Sequence, residues 1–171
     1  MQTPSPAGRG REGDQAMKLI IASDHAGLEL RRELVALLKE RGLEFDDVGP
    51  TSHESVDYPD FAGQVARAVS EGRYPFGILV CGTGIGMSIV ANKYRGVRAA
   101  LCGTEFEARM ARAHNDANVL CVGQRVVGAG VARGILEAFL ATPFEGGRHE
   151  KRIQKIREAE SERDSTSSHQ S

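Results

Sequence analysis

Cys81-Gly82-Thr83-Gly84-Ile85-Gly86 follows the apolar run Phe76 to Val80, so a thiol and a glycine-rich turn leave a buried strand together. Glycines at alternate positions let the backbone approach a ligand closely, and successive N–H groups in such a turn can face one anion. A thiol beside an anion cradle suits carbon-acid or acyl chemistry. Taken alone, Cys81 has two readings: a base or nucleophile activated by the N-terminus of the next helix, or a small buried hydrophobe. The turn is neither the Gly-x-Gly-x-x-Gly of a dinucleotide fold nor a P-loop ending in Gly-Lys-Ser/Thr. Ser23-Asp24-His25-Ala26-Gly27, at the end of the first strand, also lacks the dinucleotide pattern, so no nucleotide cofactor is expected.

Other side chains could complete such chemistry. Asp24 can orient a hydroxyl or cap the next helix, and His25 can titrate or donate to a phosphate. His114-Asn115 closes a helix, where His114 either carries protons or is held by the helix dipole, and Asn115 can bond a hydroxyl. Arg148 and Arg152 are one helical turn apart and could grip a phosphate, with Arg125 as a third contact; a solvated charged helix is the alternative. Cys102 and Cys121 lie within or at the ends of apolar strands and read as core. His53 and His149 show no metal-ligand spacing with the other candidates, so neither a metal nor another cofactor is expected.

Alternating elements position these groups. Lys18 to Ser23 reads as a strand, and Leu30, Leu34, Leu37 and Leu38 as one helical stripe ending at Gly42. Leu43 to Val48 is a second strand, followed by a helix capped by Asp60 with Phe61, Val65 and Val69 on one face. Phe76 to Val80 is the third strand, the glycine turn opens a helix through Met87 to Asn92, and Arg98 to Cys102 is the fourth strand. Thr104-x-x-Glu107 is a capping box for a helix burying Phe106, Met110 and Ala113. Asn118 to Val122 is the fifth strand, and Val131, Ile135 and Phe139 mark a helix stopped before Pro143. The pattern predicts an α/β fold, a three-layer α/β/α sandwich around a five-stranded parallel Rossmann-like sheet. Ligands bind at the carboxyl ends of strands in such sheets, where the Asp24-His25 and Cys81 turns both lie.

The chain has 171 residues, 40% of them hydrophobic and 26% charged, enough for one substantial core. A formal charge of -1 gives no overall attraction to nucleic acid or to an anionic membrane. No stretch approaches the roughly 18 apolar residues of a membrane span, and three cysteines without a Cys-x-x-Cys pair fit a reducing cytoplasm. Residues 1–16 lack an apolar signal core and read as a disordered N-terminal extension. Residues 161–171 are polar and read as a disordered C-terminal tail, which leaves a domain over residues 17–160.

Together these motifs resemble the ribose-5-phosphate isomerase type B family, which includes galactose-6-phosphate isomerase subunits. The similarity rests on the Ser23 to Gly27 and Cys81 to Gly86 segments, Asp57-Tyr58-Pro59, Ala91-Asn92-Lys93, His114 to Leu120, and Glu145-Gly146-Gly147-Arg148-His149. The resemblance implies interconversion of D-ribose 5-phosphate and D-ribulose 5-phosphate through a cis-enediolate, in the non-oxidative pentose phosphate pathway. Cys81 would be the base; other members use a Glu just beyond the turn, where this chain has Met87-Ser88. Thr83 and the N–H groups of Gly82, Gly84, Ile85 and Gly86 would stabilise the enediolate oxygen. His114 would assist opening of the furanose ring, Asp24 would hold sugar hydroxyls or share that proton traffic, Asn115 would bind the substrate, and His25, Arg148 and Arg152 would hold the phosphate. The family forms homodimers whose subunits complete each other's sites, some associating into tetramers. An isomerase of a hexose 6-phosphate of the allose or galactose type, or a non-catalytic sugar-phosphate-binding module, are the alternatives.

Overall fold

The computed structural model describes residues 17–167; residues 1–16, with the expected N-terminal extension, and 168–171 lie outside the described residues. Eleven elements alternate: β1 (Lys18–Ser23), α1 (Leu28–Glu40), β2 (Glu44–Asp47), α2 (Tyr58–Ser70), β3 (Phe76–Cys81), α3 (Ile85–Ala91), β4 (Ala99–Leu101), α4 (Glu105–Asn115), β5 (Val119–Gly123), α5 (Ala129–Ala141) and α6 (Arg148–Ser167). The five strands are all parallel, in the order β2-β1-β3-β5-β4.

The strand pleat divides the core into two layers. Leu19 and Ile21 of β1 join Leu34, Leu38, Ile135 and Phe139 on the face covered by α1, α4 and α5. Ile20 and Ala22 join Val65, Ala66 and Met87 on the face covered by α2 and α3. Continuous apolar strands follow because both faces are covered. No described helix is long and apolar enough to cross a membrane.

Several boundaries differ from the sequence expectation for local reasons. β2 and β4, the two edge strands, are shorter than the runs Leu43 to Val48 and Arg98 to Cys102. α2 starts at Tyr58 rather than after Asp60: Asp57 is its extended N-cap, Pro59 fits the first turn, and Asp60 lies inside it. The Thr104–Glu107 capping box forms as expected. The helix it opens, however, buries Ala108, Ala111, Arg112 and Ala113, whereas Phe106 is 63% exposed and Met110 half-buried. Arg112 takes the place expected of an aromatic. Its Nη1 donates to Ala117 O at 2.6 Å and to Asp116 Oδ1 at 2.8 Å, while its guanidinium stands 4.6 Å over the Phe76 ring.

Where a disordered tail was expected from Ser161, α6 continues to Ser167. The helix is tied back to the body of the protein: Glu160 accepts from Gly96 N–H at 3.0 Å, and Arg163 donates to Lys93 O at 3.1 Å. Polar composition hid these long-range bonds.

Candidate active site

Parallel register places the ends of β1, β3 and β5 side by side, with Ser23 opposite Val80 and Cys81 opposite Gly123. Cys81 closes β3, 6% exposed, and Gly84 N–H donates to its Sγ at 3.0 Å. The turn bends that N–H back because Gly84 sits at φ 79, in the left-handed region. Ile85 N–H donates to Thr83 Oγ1 at 3.2 Å, and the first bond within α3 runs from Ser88 N–H to Gly84 O. The N–H groups of Gly86 and Met87 therefore have no acceptor inside the helix and are free to face an anion. The chain beyond β5 is bonded onto the same turn: Gln124 N–H donates to Cys81 O and Arg125 N–H to Gly82 O, both at 2.9 Å. That brings the Arg125 guanidinium to 3.4 Å from where a Cβ on Gly82 would lie.

Asp24 and His25 occupy the neighbouring β1 edge. Asp24 is 6% exposed, its N–H donates to Val80 O, and its Oδ1 accepts from Gly27 N–H at 3.0 Å, so it ties the turn between β1 and α1 without capping the helix. His25 Nδ1 accepts from Val56 N–H at 3.1 Å, which places the proton of a neutral ring on Nε2, available to a ligand oxygen. Tyr58 stands over the glycine turn, its ring carbons 2.6 Å from where a Cβ on Gly86 would lie. The Asp57-Tyr58-Pro59 segment marks this contact in the sequence, but nothing in its spacing assigns it to the site.

His114, Asn115, Arg148 and Arg152 are elsewhere in the same chain. α4 returns against the strand direction, so its C-terminus lies where β4 and β5 begin: Arg98, just before β4, donates through Nε to Asn115 O at 2.9 Å. Cys81 is five strand positions beyond that level, roughly 16 Å along the sheet at about 3.3 Å per residue. One chain thus places the two groups of candidate residues at opposite ends of its strands.

At the far end, His114 and His149 stack with ring centroids 4.2 Å apart and planes 12° from parallel. Glu145 Oε2 lies 3.4 Å from His149 Nε2 and 3.8 Å from His114 Nε2. Burial, then the neighbouring His114 and Arg148, hold the His149 imidazole below its ordinary pKa. His149 has no metal-ligand spacing in the sequence with the other candidates, yet the fold brings it beside His114 and Glu145 from separate elements. Arg148 and Arg152 are both exposed at the start of α6. Cys102 and Cys121 are buried, and burial pushes the Cys102 thiol up to about 12 and raises Cys121 as well.

Residues 19–156 match the model of the family described as Ribose/Galactose Isomerase. The chain belongs to that family. It is 48% identical over 146 residues to ribose-5-phosphate isomerase B of Escherichia coli (strain K12), covering 85% of this chain and 98% of the relative. Among solved structures, ribose-5-phosphate isomerase B of Clostridium thermocellum superposes with a TM-score of 0.84 at 51% identity, covering 85% of this chain and 99% of the other. The Mycoplasma genitalium ribose-5-phosphate isomerase B, solved with bound ribulose-5-phosphate, gives 0.81 at 44% identity over 85% and 97%. The ribose/galactose isomerase match runs from β1 into α6, so both groups of candidate residues lie inside it.

Proposed function

We propose that this chain is an isomerase interconverting D-ribose 5-phosphate and D-ribulose 5-phosphate in the non-oxidative pentose phosphate pathway. The observation that carries the reading is the Cys81 thiol held in a glycine turn by Gly84 N–H, in a chain similar along most of its length to isomerases of that name. Cys81 Sγ removes the proton from C2 of the open-chain aldose, and the electron pair becomes the C1–C2 double bond as the C1 carbonyl oxygen takes the charge. Thr83 and the N–H groups of Gly82 and Gly86 stabilise that oxygen, while Gly84 N–H holds the sulfur and Ile85 N–H the Thr83 hydroxyl. Return of the proton to C1, with transfer of the O2 hydroxyl proton to O1, gives the ketose. His114 opens the furanose ring, Asp24, Asn115 and Arg125 orient hydroxyls, and His25, Arg148 and Arg152 hold the phosphate.

Because the two groups of candidate residues lie at opposite ends of the strands, the working enzyme is a homodimer, open to further association as a tetramer, in which His114, Asn115, Arg148 and Arg152 of one chain serve Cys81 of the other. An apolar surface beside the turn supports this: Ile85, Leu101 and Val126 are 51%, 43% and 63% exposed and border a cavity of about 310 Å³ with Thr83. The free, buried cysteines suit a reducing cytoplasm.

A substrate panel tests the assignment. Ribose 5-phosphate should give a higher kcat/KM than allose or galactose 6-phosphate, and Cys81→Ala should lower turnover by about 10²–10⁴-fold. A hexose 6-phosphate preference would reject the ribose assignment. Binding of sugar phosphate without exchange of the C2 proton into solvent would reject catalysis.

A further inference from the structure

We propose that His114, Glu145 and His149 form a chelating site for a divalent transition-metal ion of the zinc class, and that the bound ion switches catalysis off by occupying His114. The switching half rests on the isomerase reading above; the binding half does not. Two imidazoles and a carboxylate are a zinc-type donor set that leaves one coordination position open. A tetrahedral ion with bonds of 2.0–2.1 Å holds its ligand atoms about 3.4 Å from one another. Here Glu145 Oε2 stands 3.4 Å from His149 Nε2 and 3.8 Å from His114 Nε2, and the three donor atoms all lie within 4.8 Å of one another.

The surroundings suit capture of an ion. His149 is buried, and its Nε2 meets Glu145 Oε2 at 3.4 Å and Arg148 Nε at a long 3.5 Å, so no short bond commits that nitrogen. Glu145 is more than half exposed and its N–H is bonded to Ala113 O at 3.0 Å, so its backbone is fixed beside His114 while rotation about its side chain brings the carboxylate onto an ion. The stacked rings are nearly parallel, with in-plane lone pairs in separate planes, so one imidazole turns out of the 12° stack for both to reach one ion. Arg148 and Arg152 oppose any cation, which leaves ions that bind imidazole strongly and excludes Mg²⁺ and Ca²⁺, which prefer oxygen ligands. A metal on His114 occupies the nitrogen that ring opening requires.

The test uses the full chain after dialysis against chelator. Zn²⁺ is titrated in competition with a chromophoric zinc chelator, and Co²⁺ is titrated by absorbance. One ion should bind per chain, with cobalt bands free of thiolate-to-metal charge transfer. Glu145→Gln and His149→Gln, checked for native circular dichroism, should each weaken binding by at least about tenfold. Zn²⁺ should inhibit ribose 5-phosphate turnover, chelator should restore it, and equal Mg²⁺ should do nothing. In Glu145→Gln the inhibitory Zn²⁺ concentration should rise by about tenfold or more, relative to that variant's own metal-free rate. A thiolate band that vanishes in Cys81→Ser would overturn the site, as would binding that survives both Gln variants. Inhibition unchanged in a variant that has lost binding would overturn the switch. A protein that binds Co²⁺ as described yet isomerises no sugar phosphate would reject the proposed function while upholding the site.

Discussion

Gly123→Ala is expected to damage catalysis more than it damages the fold. A Cβ at Gly123 would lie 2.5 Å from the Thr83 carbonyl carbon, 2.6 Å from its oxygen and 2.7 Å from its Cα. Carbon atoms settle at about 3.5 Å or more, so the two segments must part by roughly 1 Å. Relief is difficult in the sheet, because Gly123 is in register with Cys81 and Gln124 N–H is bonded to Cys81 O at 2.9 Å. The displacement therefore passes into the glycine turn, moving the Gly84 N–H away from the sulfur. Overpacking of this kind costs about 1–3 kcal/mol of stability. A 1 Å misplacement of reacting groups costs about 10²-fold in rate, equivalent to about 2.7 kcal/mol of barrier. The assay is kcat on ribose 5-phosphate beside a denaturant midpoint, with Gly128→Ala as control because a Cβ there meets nothing within 4 Å. Gly123→Ala with wild-type kcat and midpoint would refute the role given to the close approach of β5 and the turn.

Other substitutions probe the supports of the second half-site and the scaffold. Arg112→Ala leaves the Ala117 carbonyl and Asp116 without their buried partner, and should cost about 3 kcal/mol by chemical denaturation; a change below about 1 kcal/mol would contradict the bonding described. Gly130→Ala, inside α5 with open space around it, should raise stability by about 0.5–1 kcal/mol, and a loss would show a contact that the structure lacks. The native pKa of His149 lies below its ordinary 6.5, so as pH falls the unfolded chain takes up this proton first. The stability owed to the neutral ring is full above that value and is lost progressively below it. The thermal midpoint should therefore drop as pH falls from about 6.5 toward about 5.5, and more steeply in wild type than in His149→Gln; equal slopes would contradict it.

The fold was legible because its apolar runs are local and periodic: four consecutive hydrophobic residues, Leu19 to Ala22, for β1, leucines at helical spacing for α1, a capping box for α4. The Cys81 turn was legible for the same reason, since its strand, glycines and helix are contiguous. What stayed hidden depends on partners distant in sequence. Phe106 has the spacing of a core residue, yet Arg112 fills that layer through its bond to Ala117 and its stacking on Phe76. The tail after Ser161 has no apolar period, yet Glu160 and Arg163 fasten the surrounding helix. The His114–His149 stack joins two elements separated by β5 and α5, so no local spacing could reveal it. The division of the candidate residues between the two ends of the strands follows from helix direction, which becomes visible once α4 is placed against β4 and β5.

Mixing two inactive variants tests the division of the site between chains most directly. Cys81→Ala and His114→Ala are unfolded together, refolded as an equal mixture, and assayed on ribose 5-phosphate. In a symmetric dimer with shared sites, half the dimers are mixed, and each rebuilds one site with both groups intact, so about a quarter of wild-type activity should return. Activity no greater than the average of the two variants refolded alone would contradict the shared site and place Cys81 and His114 in separate functions.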